Sequence, residues 1–504
     1  MKVRVRLAPS PTGYLHMGTA RVALFNYLFA KQNNGSFILR IEDTDKERSK
    51  KEYEEDIIKS LLWLGLKWNE GPDYNDYSNY IGDHGPYRQS ERVSLYKKYL
   101  EILLNKGLAY YCFCLPEELE AQKNYLISIG KPPVYSGKCR ELKKEEVLKK
   151  LEKGERHIIR LAVPKDKIIK FNDIVRGEIK INSSIIGDFS IAKGLEEPLY
   201  NFAVVVDDYE MEISHIIRGE DHISNTPKQI IIQQMLNFNK VYYAHLPLIL
   251  APDRTKLSKR HGAVSVMEFK KMGYLPESII NFLAFLGWNP GTDKEIYSLQ
   301  ELIKDFSLER IQKSGAIFNI KKLDFLNSYY IKQKSADELF DLSYEYIKDF
   351  IKQESDKDKI KKILEVYKTR INKLSDLPTE IDFFFKDINY PKDLLRWKDA
   401  TDTEILLCID KLEDTLDNIK EEDFNRDYLS QVLLKEAQEF AKIINRDEKD
   451  RGYMLWTLRV ALTGKKFSAG PFEIMEILGK KETIRRLKKA GEIIQKNSNG
   501  NNDN

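Results

Sequence analysis

The chain opens on an alternation. In "VRVRLAP", Val3, Val5 and Leu7 fall on one face and Arg4 and Arg6 on the other, which predicts a strand with one apolar and one charged side. Pro9, Pro11 and Gly13 then forbid regular structure. From about Met17, "MGTARVALFNYLFAKQ" carries Val22, Phe25, Leu28 and Phe29 at helical spacing, and "NNG" at 33–35 closes that helix, with Gly35 able to take a positive φ. "SFILRIEDTD" alternates again and predicts a second strand ending near Glu42. The opening is thus a β-α-β unit whose first loop lies at the carboxyl end of a strand and the start of a helix. Open α/β sheets bind ligands there, and the helix terminus favours phosphate.

Further on, "SLYKKYLEILLNKG" reads as a helix and "HIIRLAVP" and "FNDIVRGEIKI" as short strands. "EISHIIR" reads as a strand closed by Arg218, before a helix whose start is marked by Thr226 and Pro227. From about residue 336 the pattern is helical: "DELFDLSYEYIKDFI", "DKIKKILEVYKTRINKL", "DTEILLCIDKLEDTL" and "YLSQVLLKEAQEFAKII" all space apolar residues three and four apart. A basic helix follows, and "NSNGNNDN" is polar and of low complexity, the composition of a disordered tail.

Composition narrows the classes. A chain of 504 residues implies several domains. No run of about 18 apolar residues predicts a membrane span, and "MKVRVRLAPS" lacks the apolar segment of a signal peptide. Four cysteines argue against a disulfide scaffold, so a soluble cytoplasmic protein is expected. A net charge of +4 from 82 basic and 78 acidic residues neither demands nor excludes a nucleic-acid partner.

The first loop decides the chemistry. The dinucleotide fingerprint G-x-G-x-x-G and the Gly-Lys-Ser/Thr phosphate loop are both absent from it. Instead "SPTGYLHMGT" resembles the HIGH signature of class I aminoacyl-tRNA synthetases in its glutamyl form. His16 and Gly18 hold the first and third places of that tetrad, and Thr19 stands where many class I enzymes carry a second histidine. About 240 residues later, "DRTKLSKRHGAVS" places Lys256, Leu257, Ser258, Lys259 and Arg260 in the KMSKS pattern. "RIEDTDKERS", "GPYRQSER", "VVVDDYEMEISHIIRGEDHISNTPKQ" and "LGWNPG" are similar to the glutamyl-tRNA synthetase family too, so the resemblance covers nearly the whole chain.

The resemblance implies a Rossmann-type parallel-sheet catalytic domain in two halves, 1–93 and 205–250, with an inserted α+β acceptor-binding domain at 94–204. It further implies a stem-contact part at 251–335, an all-α anticodon-binding region at 336–490 and a disordered tail at 491–504. Thr12, His16, Gly18, Lys256, Ser258 and Lys259 would serve ATP, which arrives with Mg²⁺, and His16, Lys256 and Lys259 would carry the catalysis. Arg6, Ala8, Ser10, Glu42, Tyr200 and Arg218 would hold L-glutamate. Arg6 and Arg218 take its carboxylates, Glu42 its amino group, and Tyr200 adds a hydroxyl. The physics agrees, since glutamate carries two anions and a cation, and a desolvated arginine needs a carboxylate partner. The implied partner is glutamate tRNA, charged by a monomer.

Two features stay open at this level. Cys112, Cys114 and Cys139 cluster in the insert, and relatives complete such a zinc site either with a histidine two after the third cysteine, here Glu141, or with a tyrosine four before it, here Tyr135. Three reduced, partly buried thiols are the other reading. Arg370, in "KTRINKL", falls where some relatives read the third anticodon base, and a surface arginine is the alternative. A shortened paralogue that modifies a tRNA base lacks the helical half present here. A catalytically silent scaffold would have eroded His16, Gly18, Lys256 and Lys259, and a nucleotidyltransferase without tRNA would have no use for the insert.

Overall fold

Residues Arg4–Leu7 form the first strand, paired in parallel with Ser36–Leu39 from Arg4 opposite Ser36 to Leu7 opposite Leu39. All four residues of the first strand are buried, the charged face as well as the apolar one. A parallel strand is covered on both faces, and its arginines are accommodated by carboxylates: Arg4 meets Glu70 at 2.6 Å and Arg6 meets Asp208. The computed structural model describes residues 2–257, 265–351 and 356–498.

The connecting helix runs Met17–Gln32, as its periodicity predicts. Its exit differs in detail. Asn34, not Gly35, takes the left-handed conformation (φ 50°). Gly35 is required by close approach, since a Cβ there would stand 2.3 Å from the carbonyl oxygen of Val3.

Ser214 bonds the backbone of Arg4 from both sides, its amide to the Arg4 carbonyl (2.9 Å) and its Oγ from the Arg4 amide (2.8 Å). That sets strand His215–Gly219 beside the first strand, and it pairs in parallel with Tyr242–Leu246. The carboxyl ends of these strands all point to one edge. Tyr243 in turn pairs with Asp173, the last residue of strand Ile168–Asp173, which forms a hairpin with Gly177–Asn182. A separate antiparallel sheet joins Ala109–Cys112, Ile158–Leu161, Ser190–Gly194 and Glu197–Pro198. Helix Tyr200–Glu210 follows, with Phe202 to Asp208 all buried.

The described residues fall into two compact units, Met1–Lys271 with Pro276–Leu326, and Met272–Leu275 with Asn327–Asn504. The second is built of helices around a core that includes Leu339, Ile363, Tyr367, Leu412, Leu433, Met454, Leu458 and Leu487. Its helix starts are written locally. Ser335 and Thr401 each accept the amide of a glutamate three residues on, Glu338 and Glu404, whose carboxylate bonds back to the cap amide. Helix Lys480–Ser498 reaches into the polar tail, and the rest of that tail lies outside the described residues. No described helix is long and apolar enough to cross a membrane.

Candidate active site

His16 caps the first helix. Its Nδ1 accepts the amide of Thr19 (3.2 Å), and its Nε2 lies 3.0 Å from the Thr19 hydroxyl. The glycine between them has a steric reason, because a Cβ on Gly18 would sit 3.0 Å from ring atoms Cε1 and Nδ1 of His16. Thr12 is exposed on the same loop, after Ala8 and the exposed Ser10. Arg21, one turn into the helix and buried, donates to the carbonyls of Leu286 (2.8 Å) and Pro247, tying the helix to the end of strand Tyr242–Leu246.

Both described edges of the second basic loop meet this structure. On the approach, Lys256 bridges to Leu250, and the amide of Leu257 bonds the carbonyl of Ile249 (3.1 Å). On the return, Ser265 bridges to His16, and the amide of Val266 bonds the carbonyl of Leu15 (2.9 Å). Desolvation in the crevice, then the nearby Lys256 ammonium, hold the His16 pKa below the ordinary imidazole value, with Asp221 pulling the other way. Ser258 and Lys259 lie outside the described residues.

Deeper in, charged side chains gather at the strand ends. Arg6 meets Asp208 through Nε (3.1 Å) and Nη2 (3.3 Å). Arg40, fully buried, bonds the same Asp208 (2.7 Å) and Glu42 (3.0 Å) and lies 3.7 Å from Asp207. Asp207 is held by Arg92 (2.6 Å), Gln89 (2.8 Å) and the Tyr96 hydroxyl (2.9 Å). Arg6, Arg40 and Arg92 thus face Asp208, Glu42 and Asp207, a set balanced in charge. Burial pushes the Glu42 pKa up, and Arg40 pulls it back. The Arg6 and Arg40 cations keep Asp208 below the usual carboxylate range against the opposing effect of burial.

Arg218 is different. It is 5 % exposed, donates from Nε to His245 (3.2 Å) and from Nη2 to Thr226 (2.8 Å), and has no carboxylate in contact among the described residues. Its Nη1 is buried with no hydrogen-bond partner among the described residues. Burial lowers its pKa, and Arg6 lowers it further. The Tyr200 hydroxyl lies 3.1 Å from His222 Nδ1. Burial and then Glu42 push the Tyr200 pKa up to about 12, while Arg218 and Arg6 oppose. Arg6, Glu42, Tyr200 and Arg218 therefore converge. Arg40, Asp207, Asp208, His245 and Asp173 were not singled out in the sequence. Two aspartates inside the apolar helix "VVVDDYE" and a histidine inside the apolar strand "YYAHL" were the available signals.

In the antiparallel sheet, Cys112, Cys114 and Cys139 bring their sulfurs within 4.8 Å of one another. The Tyr135 hydroxyl lies 3.5 Å from Cys112 Sγ and 3.3 Å from Cys114 Sγ, and accepts the Cys139 amide (2.9 Å). Glu141 is exposed on the short turn after Cys139. Burial raises the Cys114 pKa to about 11, whereas at Cys112 bonds from Tyr135 and Arg160 outweigh burial and lower it. In the helical unit Arg370 is exposed, at the end of helix Asp356–Tyr367, and close enough to Arg459 to depress the pKa of that residue after burial has done so.

The family "tRNA synthetases class I (E and Q), catalytic domain" matches residues 2–325, and an "Anticodon binding domain" family matches residues 338–491. Glutamate--tRNA ligase 1 of Caldicellulosiruptor saccharolyticus is 45 % identical over 501 residues, covering 97 % of this chain and 98 % of the relative. Glutamate--tRNA ligase of Carboxydothermus hydrogenoformans is 43 % identical over 96 % of this chain and 99 % of its own. A crystal structure of a glutamate tRNA ligase from Elizabethkingia meningosepticum, in complex with its amino acid, superimposes with a TM-score of 0.86 at 33 % identity, covering 98 % of this chain and 99 % of that one. On these matches, which together span nearly its whole length, the chain belongs to the class I tRNA synthetases of the E and Q branch.

Proposed function

We propose that this chain attaches L-glutamate to the 3′ end of glutamate tRNA, using ATP through a glutamyl-adenylate and releasing AMP and pyrophosphate. The observation that carries the reading is Arg218, a buried guanidinium that has, among the described residues, one unpartnered nitrogen and no carboxylate in contact. Such a cation is stable only if a ligand brings the anion. Arg6 spends Nε and Nη2 on Asp208, which leaves Nη1 for a ligand. Glu42 and the Tyr200 hydroxyl supply an acceptor for an ammonium and a donor for a carboxylate.

Activation is attack of the glutamate α-carboxylate on the α-phosphorus of ATP. The negative charge that grows on the phosphate oxygens would be met by His16 with its helix N-terminus and by Lys256, and the KMSKS pattern assigns the same task to Ser258 and Lys259. On the loop before His16, Thr12 would serve ATP, and Ala8 and Ser10 glutamate. Positioning and charge stabilisation carry the rate, with no general base assigned. Mg²⁺ enters with ATP as its counterion.

The cysteine set fits a structural zinc ion. Three thiolates and the Tyr135 hydroxyl make four donors, and the Cys114 and Cys139 sulfurs, 3.6 Å apart, have a spacing compatible with a shared tetrahedral metal. Cys112, Cys114, Cys139 and Tyr135 would hold it, fixing the loop that follows strand Ala109–Cys112. Metal analysis of the purified chain is expected to find one zinc per molecule, lost in Cys139→Ser and retained in Glu141→Gln.

The functional test is charging of purified glutamate and glutamine tRNAs with labelled glutamate, ATP and Mg²⁺. Labelling of glutamate tRNA is expected. Labelling of glutamine tRNA as well would mean a relaxed anticodon site and direct attention to Arg370. A folded, ATP-binding preparation that labels neither overturns the proposal.

A further inference from the structure

Arg218 is aimed by a chain of buried groups that is neutral where it touches the arginine. Its Nε–H can only donate, so the His245 Nε2 that receives it (3.2 Å) carries the lone pair. The imidazole proton therefore sits on Nδ1, 2.6 Å from Asp173 Oδ2. Asp173 also accepts the amides of His245 (3.1 Å), Val175 (3.0 Å) and Arg176 (2.8 Å), which hold it ionised and in place. His245 and Asp173 are 0 % and 1 % exposed. Burial lowers the His245 pKa and the Asp173 bond opposes it, a net downward direction that agrees with the lone pair on Nε2.

Arg6 offers the contrast. A carboxylate in direct contact orients it but also cancels its charge. A neutral imidazole orients Arg218 equally well and leaves the charge for the ligand. The substrate's α-carboxylate must keep its nucleophilicity toward ATP, so the uncompensated guanidinium suits the carboxylate that does not react. We propose that Asp173 and His245 are positioning residues that hold Arg218 as an uncompensated cation for the side-chain carboxylate of glutamate, and thereby set the preference for glutamate over glutamine. This rests on the glutamate–tRNA ligase reading above.

The test is steady-state charging by the full-length chain, with KM for glutamate, glutamine and ATP measured separately. His245→Leu is expected to raise the glutamate KM tenfold or more and to narrow the glutamate-to-glutamine ratio of kcat/KM tenfold, with the ATP KM within twofold of the parent. His245→Gln, which restores an acceptor for Arg218, is expected to recover the glutamate KM to within threefold. Asp173→Asn places an amide N–H against Nδ1 and favours the opposite tautomer, so it is expected to move glutamate and not ATP. A folded His245→Leu with unchanged glutamate KM, glutamate and ATP KM rising together, or no rescue by glutamine would each overturn the proposal. If His245→Leu does not fold, an unchanged glutamate KM in Asp173→Asn overturns it. A parent chain that charges no glutamate removes the function reading and this proposal together.

Discussion

Arg6 and Arg218 stand at the ends of neighbouring strands, both almost wholly buried, yet they are treated in opposite ways. Arg6 belongs to a set in which every guanidinium meets a carboxylate, while Arg218 rests on a histidine and a threonine. The first arrangement is self-sufficient and holds the strand ends together. The second is incomplete without an anion. Burial alone does not separate structural charge from binding charge. The identity of the contacting partner does.

The sharpest way to break this comparison is to remove one member from each side. Asp208→Ala strips Arg6 of its carboxylate and Arg40 of one of its own, and breaking a buried pair is expected to cost about 3–5 kcal/mol in urea unfolding. Arg218→Ala is expected to lower kcat/KM for glutamate about 100-fold, roughly 3 kcal/mol, with the melting temperature held or raised because an uncompensated cation has gone. Equal destabilisation by the two substitutions would erase the distinction.

A smaller effect separates the histidines. Burial, and then Arg218, lower His222 to about 4. A group whose folded pKa is depressed makes the unfolded chain the better proton acceptor, so stability rises with pH. The contribution of His222 is complete above its unfolded pKa near 6.5 and is lost as pH falls from there toward about 4. Denaturant titrations at pH 7.5 and 5.5 are expected to differ by about 1 kcal/mol from this residue, and His222→Asn is expected to remove that part.

What could be read from the sequence was local. His16, Gly18 and the strand–loop–helix around them lie within one short stretch, and the cap at Thr19 and the clash at Gly18 follow from neighbours two and three positions away. Arg218 was legible as a strand end for the same reason. The ion cluster was not, because Arg40 finds Asp208 168 positions away and nothing near either residue announces the other. Alternation in "VRVR" gave the strand and its two faces but not that both are covered. That the Tyr135 hydroxyl lies beside the thiols while Glu141 is exposed could not be read from spacing, because both stand within a few positions of Cys139. At 33–35 the positive φ belonged to asparagine, and the glycine answered a contact with Val3.

The pairing of Arg6 with Asp208 spans 202 positions, and that of Arg218 with His245 another 27. The crevice is therefore a late product of biosynthesis. While the ribosome is delivering the first half of the catalytic unit, Arg6 has no partner, and contacts of such long range form slowly because the loop must be closed before they contribute. Until His245 has emerged, the nascent chain holds Arg218 without the histidine that aims it. Glutamate or ATP reaching that intermediate would find no pocket, so the ligand can stabilise only the finished sheet.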